Sequence, residues 1–252
     1  MIFYIFEPKS SLVLSVVLIL GSAPNVMQCR HWPRGAFDRI VAINNAWAVR
    51  PDWDDMIHPE DFPPERKPVS VSDTQRIVTA ADYVPVQNDF GGFVYAGGTM
   101  AFTTGYWALG VLRPRVIAML GCDMVYPTDS ITHFYGEGEP DPLREDITLR
   151  DLRAKSARMM IKGAQHNCAF VNLSQDESRL VFPRATPETV AQAQPAPFDK
   201  AAAAEAEALE QALNYTVPSG RYWEEIERFD LAEIDRLDAL WLKAAQPSQT
   251  ET

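Results

Sequence analysis

Gly97 to Gly136 reads GGTMAFTTGYWALGVLRPRVIAMLGCDMVYPTDSITHFYG, and the fold class turns on this stretch. Two glycines precede Thr99, whose hydroxyl can cap a helix running through Phe102, Trp107, Ala108 and Leu109, with Gly110 placed to end it. Pro114 then breaks the chain. The run RVIAML that follows is short, continuous and apolar, the pattern of a strand buried on both faces, and it ends in Gly121-Cys122-Asp123. In an open α/β sheet, ligands gather at the carboxyl ends of the strands, so Asp123, Tyr126, His133 and Tyr135 are expected to share one mouth.

Working outward, four more short apolar runs read as strands: Arg39 to Ile43, Asp54 to Ile57, Arg76 to Ala80 and Cys168 to Leu173. Upstream, SLVLSVVLIL (Ser11 to Leu20) reads either as a first buried strand or as the core of a signal peptide. Its β-branched residues and abrupt stop at GSAP favour the strand, and it is too short to span a bilayer. Between Ile147 and Ile161, apolar residues recur at helical spacing, interleaved with Arg150, Arg153, Lys155, Arg158 and Lys162. That basic face is expected to be a solvated helix side, with the helix ending near Gly163. A helix followed by a strand is a crossover unit, so the class is α/β: a Rossmann-like three-layer sandwich with a mostly parallel sheet over residues 11–184.

The segment from Asp82 to Tyr95 reads as a mobile flap, and the proline-rich Pro63 to Pro68 as a surface loop. Beyond Arg184, residues 185–198 have linker composition. Residues 199–245 form an acidic helical appendage whose stripe of Leu231, Ile234, Leu237, Leu240 and Trp241 should pack on the parent domain or on a twin subunit, making a homo-oligomer through the C-terminal helices. Residues 246–252 read as a disordered tail, and residues 1–10 as an extension outside the fold.

With 252 residues, 46% of them hydrophobic and 23% charged, the chain can build one sizeable core with an appendage. A formal net charge of -11 argues against wrapping nucleic acid, which requires a basic surface. The cysteines Cys29, Cys122 and Cys168 are odd in number and widely spaced, without a CxxC pair. Neither a disulfide framework nor a structural zinc site is indicated, and a reducing cytoplasmic setting fits best.

Polar residues collect at the ends of these strands. Gly21-Ser22-Ala23-Pro24-Asn25 is a tight turn that could offer N–H groups to a phosphate or serve only as a strand-to-helix turn. Asn44-Asn45 can read a base or ribose edge, or simply cap a turn. His58 beside Pro59 is a ligand candidate or a turn residue, and His133 is a general-base candidate or a loop histidine bonded to a carbonyl. No DxD pair follows a strand, so no metal site is expected and departing phosphate charge would be met by tyrosine hydroxyls and backbone N–H groups.

The GSAP turn, the Asn44-Asn45 strand end, GGTMAFTTGYWALG, GCDMVY and Thr132-His133 occur in an order that resembles the bacterial sialyltransferase-like clan, over roughly Val16 to Asn172. That clan includes CMP-sialic-acid sialyltransferases, motility-associated-factor glycosyltransferase-like proteins and an archaeal pterin diphosphokinase-like branch. The resemblance implies a glycosyltransferase that transfers a sugar, sialic or another nonulosonic acid, from a nucleotide-activated donor to a hydroxyl on a glycan or protein. The donor would be a CMP-sugar, with no obligatory metal. It implies that Gly21, Ser22, Ala23, Asn44, Gly98, Thr99 and Asp123 lie along the donor, that Tyr126 and Tyr135 bond the leaving phosphate, and that His133 is the base. Asn45 and His58 stand beside that donor set, and His58 occupies a place where the sialyltransferases carry asparagine. The segment between Asp123 and His133 is also shorter than theirs. The pterin branch implies instead an ATP-dependent diphosphokinase with magnesium held by Asp123, Glu139 or Asp141. A third reading, from another class, is a non-catalytic nucleotide-binding or assembly protein. For a sialyltransferase-like enzyme the expected location is the cytoplasm, with peripheral attachment at the inner membrane as a variant.

Overall fold

A computed structural model describes residues 16–126, 131–136 and 145–246. Six strands form one sheet: β1 (Val16–Leu20), β2 (Arg39–Ile43), β3 (Asp55–Ile57), β4 (Arg76–Val78), β5 (Val116–Leu120) and β6 (Ala169–Asn172). Their order is β4-β3-β2-β1-β5-β6, and every neighbouring pair is parallel. Leu18 pairs with Ile40 on one side and Ala118 on the other, so β1 lies at the centre. The chain builds outward from β1 to β4, then returns across the sheet to lay β5 on the opposite flank of β1. This reversal makes the gap between β1 and β5 a topological switch point.

Side chains alternate across the strands, and both faces are buried. Val17, Ile19, Val41, Ile117 and Met119 meet one core with Phe102, Tyr106, Trp107 and Met159. Leu18, Leu20, Ile40, Ala118 and Leu120 meet the other, with Val26, Cys29, Phe37 and Trp53. The first face is covered by α-helices: α1 (Ala80–Asp89), the single turn α2 (Phe93–Ala96), α3 (Met100–Trp107) and α4 (Leu152–Gln165). The second face is covered by 3-10 turns, including Pro24–His31 and Asn44–Ala48, and by Val190 and Ala193 of the 185–198 segment, which lies packed against the sheet. Two more helices follow, α5 (Lys200–Leu213) and α6 (Leu231–Ala244). Among the described residues, no helix is long and apolar enough to cross a membrane.

Several local expectations are corrected. The expected flap from Asp82 to Tyr95 is α1 and α2: Thr79 N donates to the Asp82 carboxylate at 2.8 Å across a helix start, and Tyr83 and Gln87 are buried. Gly110 does not end the central helix, because a π-helical turn carries it through Ala108–Leu112 until Arg113 adopts a left-handed conformation at φ 50°. Gly110 is instead a close approach, where a Cβ would lie 2.7 Å from Val86 Cγ1 of α1. Helix α4 does end near Gly163, at Gln165, and Gly163 itself is pressed on Phe170. The basic face of α4 is solvated only in part: Arg153 is exposed, but Lys155 and Arg158 are each 1% exposed. Lys155 Nζ donates to Asp238 of α6 at 2.8 Å, and Arg158 makes a two-pronged pair with Glu210 of α5 at 2.7 and 2.8 Å. Ile234, Leu237 and Trp241 of the α6 stripe are buried on this same parent surface. Ser11 to Ser15 of the first apolar run, Glu139, Asp141 and the 247–252 tail lie outside the described residues.

Candidate functional site

At the switch point, β1 runs into Gly21-Ser22-Ala23 and β5 into Gly121-Cys122. The two turns are pressed together: Gly21 N donates to Leu120 O at 2.8 Å and Ala23 N to Gly121 O at 3.0 Å. A Cβ on Gly21 would sit 2.2 Å from Gly121 O and 2.7 Å from Cys122 Sγ, so only glycine fits. Gly121 itself has φ 74°, which a side chain would strain.

The amino end of α3 opens onto the same place. Thr99 Oγ1 accepts from Phe102 N at 3.2 Å, and Gly98 N donates to Thr148 Oγ1 at 3.0 Å, which holds the preceding turn. Met100 and Ala101, the first helical residues, line a cavity of about 150 Å³ together with Ser22, Ala23 and Thr99. A helix start presents unpaired N–H groups and the positive end of the peptide dipoles, a suitable environment for an anion. No lysine or arginine lines this cavity among the described residues.

Asn44 reaches the cavity from the end of β2 in a left-handed conformation, φ 51°, which asparagine tolerates better than most residues. Its Oδ1 is buried and has no hydrogen-bond partner among the described residues. An unsatisfied buried acceptor is costly unless a ligand or water fills the position. Met124 also lines the cavity at φ 54°, so two non-glycine residues in left-handed conformations border one small space.

His133 lines the same cavity. It is 8% exposed, its Nδ1 lies 2.9 Å from Thr132 Oγ1, and its ring stands between Tyr135, with centroids 4.9 Å apart, and Tyr126 at 6.3 Å. Phe134 N donates to Ser22 O at 2.9 Å, tying this loop to the β1 turn. The direction of the Thr132–His133 hydrogen bond follows the ring's tautomer: the threonine hydroxyl donates to a bare Nδ1 or accepts from a protonated one. The Cys122 thiol borders the cavity, but burial first and the neighbouring Asp123 second push its ionisation up, away from nucleophilic use.

Gly21, Ser22, Ala23, Asn44, Thr99, Tyr126, His133 and Tyr135 are thus brought together. Four expected residues stand apart. Asp123 does not line the cavity: Asn25 Nδ2 donates to its carboxylate at 2.7 Å and Asn172 Nδ2 at 3.0 Å, so it ties the loops after β1, β5 and β6. Asn45 faces a shallow hollow of about 350 Å³ with Trp47, Phe134 and Tyr135. His58 is buried on Phe62 with Nδ1 2.7 Å from Pro59 O, while its Nε2 lacks a partner among the described residues. Gly98 borders a different cleft of about 530 Å³, which shares Asn44 and Met100 with the small cavity. Sequence reasoning missed Met100, Ala101, Cys122 and Met124, whose apolar character signals core.

A larger cavity of about 950 Å³ lies toward the amino ends of β5 and β6, among α1, α4 and α5. Its Arg158, Lys162, Glu207 and Glu210 already pair with one another, so it presents no unmatched charge from that set. No group of three or more His, Cys, Asp or Glu able to hold a metal is gathered among the described residues. Comparison with protein-family models, with curated proteins and with solved structures finds no match to this chain.

Proposed function

We propose that the cavity at the β1/β5 switch point holds the phosphate of a nucleotide-activated sugar, and that His133 activates an acceptor hydroxyl for transfer. The observation that carries this reading is the convergence of the β1 turn, the start of α3 and His133 with two tyrosines on one space of about 150 Å³. The His133 imidazole takes the acceptor proton as the acceptor oxygen bonds the anomeric carbon. The bond from that carbon to the phosphate oxygen breaks, and its electron pair leaves with the nucleotide. Growing charge on the phosphate is met by N–H groups at the start of α3 and by the hydroxyls of Tyr126 and Tyr135.

A thermal-shift panel of CMP-, UDP- and GDP-sugars tests the reading. At least one raises Tm, because a ligand at about 100 times its Kd stabilises the native state by about 2.7 kcal/mol. His133→Ala retains that shift and loses turnover by roughly 10²–10⁴-fold, the usual share of a general base. No shift with any sugar nucleotide would sink the proposal, and a shift with ATP and magnesium alone would favour diphosphate transfer.

A further inference from the structure

The cleft of about 530 Å³ beside the phosphate cavity is walled by two distant parts of the chain. Pro59 to Pro63 and α1 form one side, and Ser219 to Trp223, from the segment joining α5 to α6, form the other. The rings of Phe62, Tyr83, Phe93, Tyr222 and Trp223 line it. Tyr83 and Phe93 meet edge to face at 6.5 Å, Phe93 and Tyr222 lie 6.4 Å apart, and Tyr222 meets Trp223 edge to face at 5.4 Å. Tyr222 is held in place, because its hydroxyl donates to Asp146 at 2.6 Å. Trp223 is not: it is 60% exposed, a large ring left in solvent at the cleft edge. The Glu60 and Asp61 carboxylates line the same cleft, and their field adds to burial in pushing the Tyr83 phenol up to about 12.

We propose that this cleft receives the base of the nucleotide, and that the base carries an exocyclic amino group. The inference rests on the phosphate reading of the small cavity. Asn44 and Met100 border both spaces, so one ligand can run from the cavity into the cleft past the unsatisfied Asn44 Oδ1. His133, Tyr126 and Tyr135 line the cavity and do not border the cleft, which leaves the cleft to the nucleoside and their part of the cavity to the reacting sugar. Aromatic walls stack a planar base, and ionised carboxylates only accept hydrogen bonds, so they select amino groups over carbonyls. The volume falls within the roughly 300–1,000 Å³ typical of small-molecule sites. The segment after α5 thereby becomes part of substrate selection.

Calorimetric titration of the full chain with inorganic phosphate and with cytidine, adenosine and uridine 5′-monophosphates tests this. Cytidine and adenosine monophosphates are expected to bind about tenfold tighter than uridine monophosphate. Trp223→Ala should weaken them by about tenfold, the order expected for one lost base–aromatic stack, and leave phosphate affinity unchanged. Glu60→Gln combined with Asp61→Asn should abolish the preference over uridine. All three positions are exposed, so these variants are expected to fold. If phosphate and nucleotides bind alike, or if neither variant alters nucleotide binding, the cleft assignment is overturned while the phosphate site stands. If neither phosphate nor any nucleotide binds the unaltered protein, the phosphate reading itself is wrong and this inference falls with it.

Discussion

At the scale of single residues, the site depends on backbone that has no room to spare. Gly21 carries the sharpest constraint, since any side chain there would overlap a carbonyl oxygen of the neighbouring strand's turn. A backbone oxygen in a central parallel sheet cannot swing aside as a flexible side-chain tip can. Gly21→Ala is therefore expected to lower stability by about 1–3 kcal/mol or more, read as a drop in the urea midpoint, and to weaken phosphate binding by spreading the two turns. Gly35→Ala, where a Cβ would meet nothing within 4 Å, is the matched control and should leave the midpoint within about 0.5 kcal/mol. Asn44 and Met124 add a second kind of constraint, since both hold left-handed backbone without glycine's freedom. Their neighbours, not their own preferences, impose that conformation.

At the scale of elements, α4 is the piece that joins the sheet to the C-terminal helices. One face meets the sheet through Met159 and Met160, while Arg158 reaches into a buried polar knot. Its guanidinium donates to Glu210, to the Tyr106 hydroxyl at 2.7 Å and to Phe90 O at 2.6 Å, and Trp241 Nε1 donates to the same Glu210 at 2.8 Å. Burial alone would push this guanidinium toward neutrality, but Glu210 and Tyr106 outweigh it and hold the charge in place. Removing one partner strands the other without water. Arg158→Met is accordingly expected to cost about 3–5 kcal/mol in denaturant unfolding, well beyond the 0–1 kcal/mol of an exposed pair such as Arg221 with Glu224. A loss below about 1 kcal/mol would show that the knot is relaxed in solution.

At the scale of the whole molecule, the C-terminal helices are structural partners of the sheet domain. Ala202, Ala206, Ile234, Leu237 and Trp241 pack with Val94, Tyr95 and Ile161, and the acidic residues among them neutralise Lys155 and Arg158. A chain ended at residue 198 would expose that apolar surface and leave two buried cations unpaired. The full chain is expected to melt in one cooperative transition and the shortened chain to lose it and bind a hydrophobic dye, whereas a sharp transition in both would show that the sheet domain folds alone.

Local pattern determined a good deal of this architecture. Each strand is a short apolar run, and each run ends in a polar or glycine-rich turn, so the sheet and the edge where ligands gather could be read from residue order. Asp199 and Asp230 cap α5 and α6 through N–H groups two or three residues away, a contact made within the local chain. The strand-end rule and the resemblance to the sialyltransferase-like clan, not nearness in sequence, put Gly21, Ser22, Asn44, Thr99 and His133 on one rim.

Tertiary structure alone decided the rest. A lysine or arginine on a helix face looks the same in sequence whether water or a carboxylate 52 residues away faces it, so the burial of Arg158 against Glu210 was invisible. Asp123 turned toward Asn172 for the same reason, and Gly110 marked a contact with α1 where a helix end was expected. The cleft beside the switch-point cavity exists only because Ser219 to Trp223 folds back over Phe93 and α1. Periodicity and capping act within a few residues and are written in the chain itself. Charge pairing, close packing and the joining of distant walls are settled only when segments remote in sequence compete for the same space.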